Sequence, residues 1–473
     1  MLFNSLQFIL FFTIVYCIYL QLHRKTQNVF LLISSYVFYS AWDYRFLSLI
    51  LISTVVDYYC GMRIYRSTSA SSRKWFLITS LIANLSILGF FKYFNFFFES
   101  LFEILLLFNV SASFNTLSIL LPVGISFYTF QTMSYTIDIY YRRMKPCTSL
   151  IDFALFVSFF PQLVAGPIER AKNLLPQIQA TRHINYEHLA NGLYLVLWGL
   201  FKKVVIADNL AVTVDQVFLK NSGFLPNEVF IGVLFFTIQI YCDFSGYTDI
   251  ARGIAKLMGF ELMLNFNLPY FAKNPGDFWR RWHISLSTWL KDYLYVPIGG
   301  NRKGLFYTYR NLMVTMILGG LWHGAAWNFV LWGLYHGILL SIHRLLRDVG
   351  LLKLKLDTYS LTGRITEFAS ISLMFGFTLY GWLLFRASNI DQIIDMTKYL
   401  TKIQLNQYLF HQLAKLTFYS WPLAAMWGAQ YSGNLKIFLR SPVAIQTICY
   451  VIMMFLFIVI GNFNGTSFIY FQF

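Results

Sequence analysis

The chain has 473 residues, 57% of them hydrophobic, 19% aromatic and only 12% charged, with a mean hydropathy of +0.55 and a net charge of +16. That balance excludes a soluble domain of ordinary charge density and points to a bilayer as the solvent. The basic excess lies in short loops between apolar runs, so positive-inside topology accounts for it and nucleic acid is excluded as the partner. Cys17, Cys60, Cys147, Cys242 and Cys449 have no paired spacing, which excludes a disulfide framework or a CxxC metal site.

In chain order, apolar runs fall near 4–20, 28–41, 46–60, 76–97, 101–110, 116–140, 149–165, 190–206, 228–247, 310–346 (interrupted), 366–386, 416–428 and 443–460. They predict an all-α polytopic membrane protein with about eleven crossings, some pieces being too short to span. The first run has no basic flank before it and no small-residue cleavage site after it, so it reads as a retained helix. Arg24 and Lys25, then Arg63, Arg66, Arg73 and Lys74, then Arg142, Arg143 and Lys145 place their loops in the cytoplasm and the N-terminus outside. Residues 166–189 carry Glu169, Arg170, Lys172, Arg182, His183 and His188 and read as an amphipathic or re-entrant segment. Residues 264–304 are the most polar long stretch. Pro269, Pro275 and Pro297 interrupt helices there, and Trp279, Trp282 and Trp289 alternate with charge, which requires the interface or a water-filled cavity. There is no internal repeat, linker or inverted pair of broken helices, so 1–473 reads as one membrane domain.

Chemistry concentrates in a few polar residues. His323 sits in the apolar run Ile317-Leu318-Gly319-Gly320-Leu321-Trp322-His323-Gly324-Ala325-Ala326-Trp327 with no other titratable group nearby, and an ionisable group in a span is a functional candidate by default. Imidazole takes a hydroxyl proton near neutral pH, and the competing reading is a packed histidine bonded to a carbonyl. His336, thirteen residues on, would face away from His323 and lie about 20 Å along a continuous helix, so it reads as structural. Gly333 and Gly337 form a GxxxG packing face.

His283 lies in Asp277-Phe278-Trp279-Arg280-Arg281-Trp282-His283-Ile284-Ser285-Leu286-Ser287, a separation that permits convergence with His323 from another segment. Arg280 and Arg281 beside Asp277 could hold a phosphate or carboxylate, or snorkel to headgroups. Asp243, Ser245 and Asp249 fall in Tyr241-Cys242-Asp243-Phe244-Ser245-Gly246-Tyr247-Thr248-Asp249 near the end of an apolar span. The two carboxylates need partners, for which the arginines around Arg280 are candidates, and pairing outweighs catalysis there. No nucleophile elbow, HExxH zinc pair, Walker loop or dinucleotide fingerprint is present, so no metal or permanently bound cofactor is expected.

The two stretches 277–287 and 319–324 together resemble the membrane-bound O-acyltransferase family, and are most similar to its bacterial alginate O-acetyltransferase branch. Leu121-Pro122-Val123-Gly124-Ile125-Ser126-Phe127-Tyr128-Thr129-Phe130-Gln131, Gln162-Leu163-Val164-Ala165-Gly166-Pro167-Ile168, the 243–249 run and Phe468-Ile469-Tyr470-Phe471-Gln472-Phe473 agree as well. The resemblance implies a ring of helices with re-entrant and interfacial pieces around a tunnel, the catalytic core falling at about 116–346. It implies His323 as the catalytic residue and His283 as its polar partner, with Trp322, Trp282, Arg280, Arg281, Asp277, Asp243, Ser245 and Asp249 supporting the tunnel. It further implies acetyl-CoA as a donor substrate entering from the cytoplasm. The acceptor would be an exported polysaccharide, alginate-like or peptidoglycan, reached directly or through periplasmic or extracellular acetyltransferase partner proteins, from a bacterial inner membrane. D-alanyl transfer to teichoic acid from a carrier-protein thioester shares both motifs. A transporter or flippase, with Asp243, Asp249 and His323 binding a translocated solute, is the reading from another class.

Overall fold

The computed structural model describes residues 1–109, 117–351, 360–431, 442–463 and 468–469. The described residues form helices and their connections, with no strand among them. The chain divides into two compact units, one of residues 1–196 with 248–263 and the other of residues 197–247 with 264–473.

The first unit begins with α1 (Leu6–Tyr19), α2 (Arg24–Asp43), α3 (Leu47–Arg66), α4 (Ala70–Leu88) and α5 (Phe94–Leu107). It continues through α6 (Ile125–Tyr140), α7 (Leu150–Ser158), α8 (Phe160–Leu163), α9 (Ala171–Gln179) and the start of α10 (Tyr186–Leu200). The expected span at 116–140 is a helix only from Ile125, because Pro122 and the left-handed Gly124 (φ 76°) keep the preceding chain out of helical geometry. α3, α4 and α6 pack on one another around a buried polar cluster. There Asp57 accepts from Ser80 Oγ (2.5 Å) and from Asn84 Nδ2 (2.9 Å), so the carboxylate is met by donors on the adjoining helix. Short amphipathic α9 buries Leu174, Leu175 and Ile178, in line with the interfacial reading of 166–189.

The second unit contains α11 (Asp208–Phe218) and most of α12 (Glu228–Leu257), followed by α13 (Pro275–Arg281) and α14 (Ile284–Leu290). Then come α15 (Leu305–His323), α16 (Trp327–Asp348), α17 (Leu361–Arg386), α18 (Ile390–Leu400), α19 (Gln407–Tyr431) and α20 (Val443–Ile460). A π-helical turn, Phe201–Ala207, joins α10 to α11, and another, Lys291–Tyr295, follows α14. The polar stretch 264–304 is, as expected, a set of short pieces: α13, α14 and turns.

Five helical stretches among the described residues are long and apolar enough to cross a membrane: 24–66, 70–107, 228–257, 327–348 and 361–386. Leu6–Tyr19 and Ala444–Ile460 are shorter apolar helices. Of the other expected spans, α6, α7 and α10 have 16, 9 and 15 residues, and α10 runs on through residues 201–207 into α11.

Candidate active site

The sequence Asn274-Pro275 starts α13 sharply. Asn274 Oδ1 accepts from Asp277 N (2.9 Å) while Pro275 supplies a first-turn residue that needs no partner for an N–H. α13 ends after seven residues, Trp282 turns extended, and His283 takes left-handed geometry (φ 42°, ψ 55°) before α14 begins. For a non-glycine residue that backbone costs about 1–3 kcal/mol and persists only where its surroundings enforce it. Asn265 does so: its carbonyl accepts from Ile284 N (2.9 Å) and its side-chain oxygen from Ser285 N (3.1 Å). Ser287 closes the turn, its N–H on the His283 carbonyl (2.9 Å) and its hydroxyl on the Trp282 carbonyl (3.0 Å). The His283 ring is thereby fixed with no exposed surface.

His323 is the last residue of α15 and is 4% exposed. Gly324 and Ala326 are extended, so the helix breaks there and α16 packs back along α15. A Cβ on Gly333 would lie 2.3 Å from the Met316 carbonyl oxygen, and one on Gly324 would lie 2.1 Å from the Phe329 ring. Only glycine permits this approach, and it sets the register of the two helices.

The two segments bring the expected pair together. The His283 and His323 ring centroids are 6.3 Å apart, and Trp322 packs against both, at 5.7 and 5.1 Å. Trp332 stands perpendicular to His323 at 5.0 Å, with Phe385 at 5.3 Å, while Phe244 stands perpendicular to His283 at 4.7 Å. Trp282 is buried one residue before His283, against Trp382 and Phe266. Both imidazoles are therefore enclosed by aromatic rings, an environment that restricts water.

The reading of His336 needs correction. It assumed a continuous helix, whereas the break at 324–326 returns His336 to the same aromatic wall, 4.8 Å from the Trp332 ring and stacked on Phe278 at 5.9 Å. The GxxxG residues behave as expected, Gly333 and Gly337 facing Met316 and Met313 of α15.

The carboxylates also find other partners than the arginines around Arg280. Asp243 pairs with Lys203 Nζ (2.7 Å), which also binds Asp208 (2.7 Å), and Lys202 Nζ donates to Ser245 Oγ (2.9 Å). Asp249 pairs with Arg252 (3.1 Å). Arg281 and Arg280 both turn to Asp277, at 3.0 and 3.4 Å, and Arg280 is largely solvent-facing. Asp243 also accepts the backbone N–H of Ile469 (2.7 Å), which seats Phe468 against Phe244 and Tyr247. Residues 470–473 of that motif lie outside the described residues. Lys202, Lys203 and Asp208 were missed from sequence, although adjacent lysines in the apolar run 190–206 carry the same signal that singled out His323.

Comparison with known proteins identifies the family and relatives of this chain. The MBOAT, membrane-bound O-acyltransferase family, matches residues 30–349. A probable alginate O-acetylase AlgI of Azotobacter vinelandii is 42% identical over 394 residues, 83% of this chain and 76% of its own. A peptidoglycan O-acetyltransferase of Helicobacter pylori is 38% identical over 404 residues, 78% of this chain and 73% of its own. A teichoic acid D-alanyltransferase of Bacillus subtilis is 27% identical over 276 residues, 56% of this chain and 68% of its own. A helical membrane chain whose paired histidines meet in an aromatic enclosure, matched by the family over most of its length, belongs to the membrane-bound O-acyltransferase family.

Proposed function

We propose that this enzyme transfers acetyl groups from cytoplasmic acetyl-CoA to a hydroxyl that leads, directly or through an extracytoplasmic acetyltransferase partner, to an exported polysaccharide such as alginate or peptidoglycan. The observation that carries the reading is the 6.3 Å approach of the His283 and His323 rings inside a closed aromatic wall. His323 takes the acceptor's hydroxyl proton as its oxygen attacks the thioester carbonyl. The tetrahedral adduct collapses, the carbon–sulfur bond breaks, and the coenzyme thiolate recovers the proton from His323. His283, locked by Asn265, orients the acceptor or the carbonyl between the rings. Water exclusion by Trp322, Trp332 and Phe385 protects the thioester from hydrolysis. Trp282, Arg280, Arg281, Asp277, Asp243, Ser245 and Asp249 serve as scaffold for this site. The chain acts as one membrane domain with its catalytic core at about 116–346, in an inner membrane with its N-terminus outside and its basic loops facing the coenzyme A pool.

The test is acetyl-CoA turnover by the purified protein in vesicles, with and without a short oligosaccharide acceptor. Wild-type protein should release coenzyme A, and His323→Ala should release none while inserting at normal abundance. Undiminished release by His323→Ala would overturn the assignment. The similarity to the teichoic acid D-alanyltransferase supports a second reading, in which the donor is a carrier-protein thioester. Turnover that requires a charged carrier protein and ignores acetyl-CoA would select it.

A further inference from the structure

One face of α16 carries Asn328, Trp332 and His336, spaced four residues apart and all at most 5% exposed. Each places a polar atom with no hydrogen-bond partner among the described residues: Asn328 Oδ1, Trp332 Nε1 and His336 Nδ1. Asn328 is otherwise held, its amide nitrogen donating to the carbonyls of Phe385 (3.1 Å) and Ala387 (2.9 Å). A buried polar atom left unmatched costs about 1–3 kcal/mol, so three on one helical face, an acceptor, a donor and an imidazole nitrogen, point to a polar occupant of the space beside them.

Trp332 is the member of this stripe that faces the reaction. Its ring stands at 85° to His323 with centroids 5.0 Å apart, and the glycine-dependent packing of α16 on α15 fixes that relation. Attack on a thioester carbonyl moves a full negative charge onto the carbonyl oxygen, next to the base that has just accepted the hydroxyl proton. The rings of Phe385, Trp322 and Trp332 surround His323, so the developing oxyanion takes its donor from the indole N–H groups of this wall, of which Trp332 belongs to the stripe of unmatched polar atoms on α16.

We propose that the Trp332 indole N–H is the oxyanion donor of this acyltransferase, hydrogen-bonding the carbonyl oxygen of the thioester as the tetrahedral adduct forms. The inference rests on the acetyl-transfer reading above. In the step, the acceptor oxygen bonds to the carbonyl carbon, the carbonyl π pair moves to the oxygen facing Trp332, and His323 holds the acceptor's proton. Collapse restores the carbonyl, expels coenzyme A as thiolate and returns the proton to sulfur. Trp332 exchanges no atom.

Trp332→Phe keeps a ring and removes the donor. Loss of one oxyanion donor typically lowers kcat by roughly 10² to 10³. The expected result is a kcat loss of that order in acetyl-CoA turnover, with KM for acetyl-CoA within about twofold, since the bond is made in the transition state. Replacing Trp332 with β-(3-benzothienyl)alanine keeps the indole shape and exchanges only N–H for sulfur. It should show the same loss, and it covers the case in which the phenylalanine variant misfolds. Wild-type kcat in the benzothienyl variant, or a rise in KM with kcat unchanged, overturns the proposal. Wild-type protein and His323→Ala are assayed alongside. Turnover that His323→Ala retains sinks the acetyl-transfer reading itself, whereas turnover that needs His323 but ignores the Trp332 N–H sinks only this inference.

Discussion

The Lys203 cluster and the His283–His323 enclosure bury polar groups to a similar depth in one unit, yet they are built on opposite principles. Lys203 lies within 2.7 Å of both Asp208 and Asp243, with the side chains of all three at most 9% exposed. Asp243 further accepts the Ile469 N–H, so each charge is answered by a fixed neighbour. The histidines instead meet rings: Trp322, Trp332, Phe385 and Phe244. The ion-paired cluster ties α12, the 201–207 turn and residue 469 together, which is an architectural task. The imidazoles stand instead among aromatic rings, in the enclosure where the proposed transfer takes place. The difference separates architecture from chemistry among residues that look equally anomalous in an apolar sequence.

The comparison breaks first, and with the largest effect, at Lys203. Lys203→Met leaves two carboxylates buried without their cation, a change that costs about 3–5 kcal/mol against a typical total stability of 5–15. Folded protein in the membrane should fall severely, as read by fluorescence-detected size exclusion. Combining Lys203→Met with Asp208→Asn and Asp243→Asn removes the stranded charges and should restore much of the folded fraction. Normal abundance of the single variant, with turnover lost, would move Lys203 from architecture to chemistry.

His283→Ala sharpens the other side. Abundance should stay near wild type, because removing a neutral ring strands no charge, while turnover falls roughly 10²-fold or more. Asn265→Ala should act through the same residue more mildly. It deletes the acceptor for Ser285 N and loosens the left-handed turn, and should lower kcat by about tenfold; a kcat equal to wild type would show that the bond from Ile284 N to the Asn265 carbonyl suffices.

Much of this was legible in the sequence, and the failures have identifiable causes. Helical class, the interruption within 310–346 and the fragmented 264–304 stretch follow from apolar run lengths and proline placement, which act locally. The convergence of His283 with His323 came from resemblance, since a separation of forty positions carries no local signal of contact. His336 was misplaced because its distance from His323 was reckoned along a continuous helix, whereas the interruption of the 310–346 run falls between the two, at 324–326. The partners of Asp243 were misassigned because ion pairing depends on the fold: Lys203 reaches it from another element, while Arg280 and Arg281 already have Asp277 three and four residues away.

The smallest expected effect tests whether the first rule, that a paired buried charge means architecture, holds in the other unit. Asp57 is fully buried among α3, α4 and α6 without a cation, yet Ser80 and Asn84 donate to it, and Ser53 Oγ donates in turn to Asn84 Oδ1 (2.5 Å). In Asp57→Asn the new amide can keep the Ser80 bond through its oxygen, but its NH2 would confront the Asn84 NH2. A flip of Asn84 resolves that clash by presenting its oxygen to residue 57 and its nitrogen to the Ser53 hydroxyl, which can accept as well as donate. The flip also takes the Asn84 amide nitrogen off the Ser80 carbonyl (2.9 Å) and its oxygen off the Thr132 hydroxyl (3.3 Å), so the network survives weakened, at a cost of about 1–2 kcal/mol. The midpoint of thermal unfolding in detergent should drop by a few degrees, and acetyl-CoA turnover at 25 °C should be unchanged. Loss of turnover in folded Asp57→Asn would show that a carboxylate matched by hydrogen bonds alone can still be chemical, and the contrast drawn from Lys203 would then hold only for clusters closed by opposite charge.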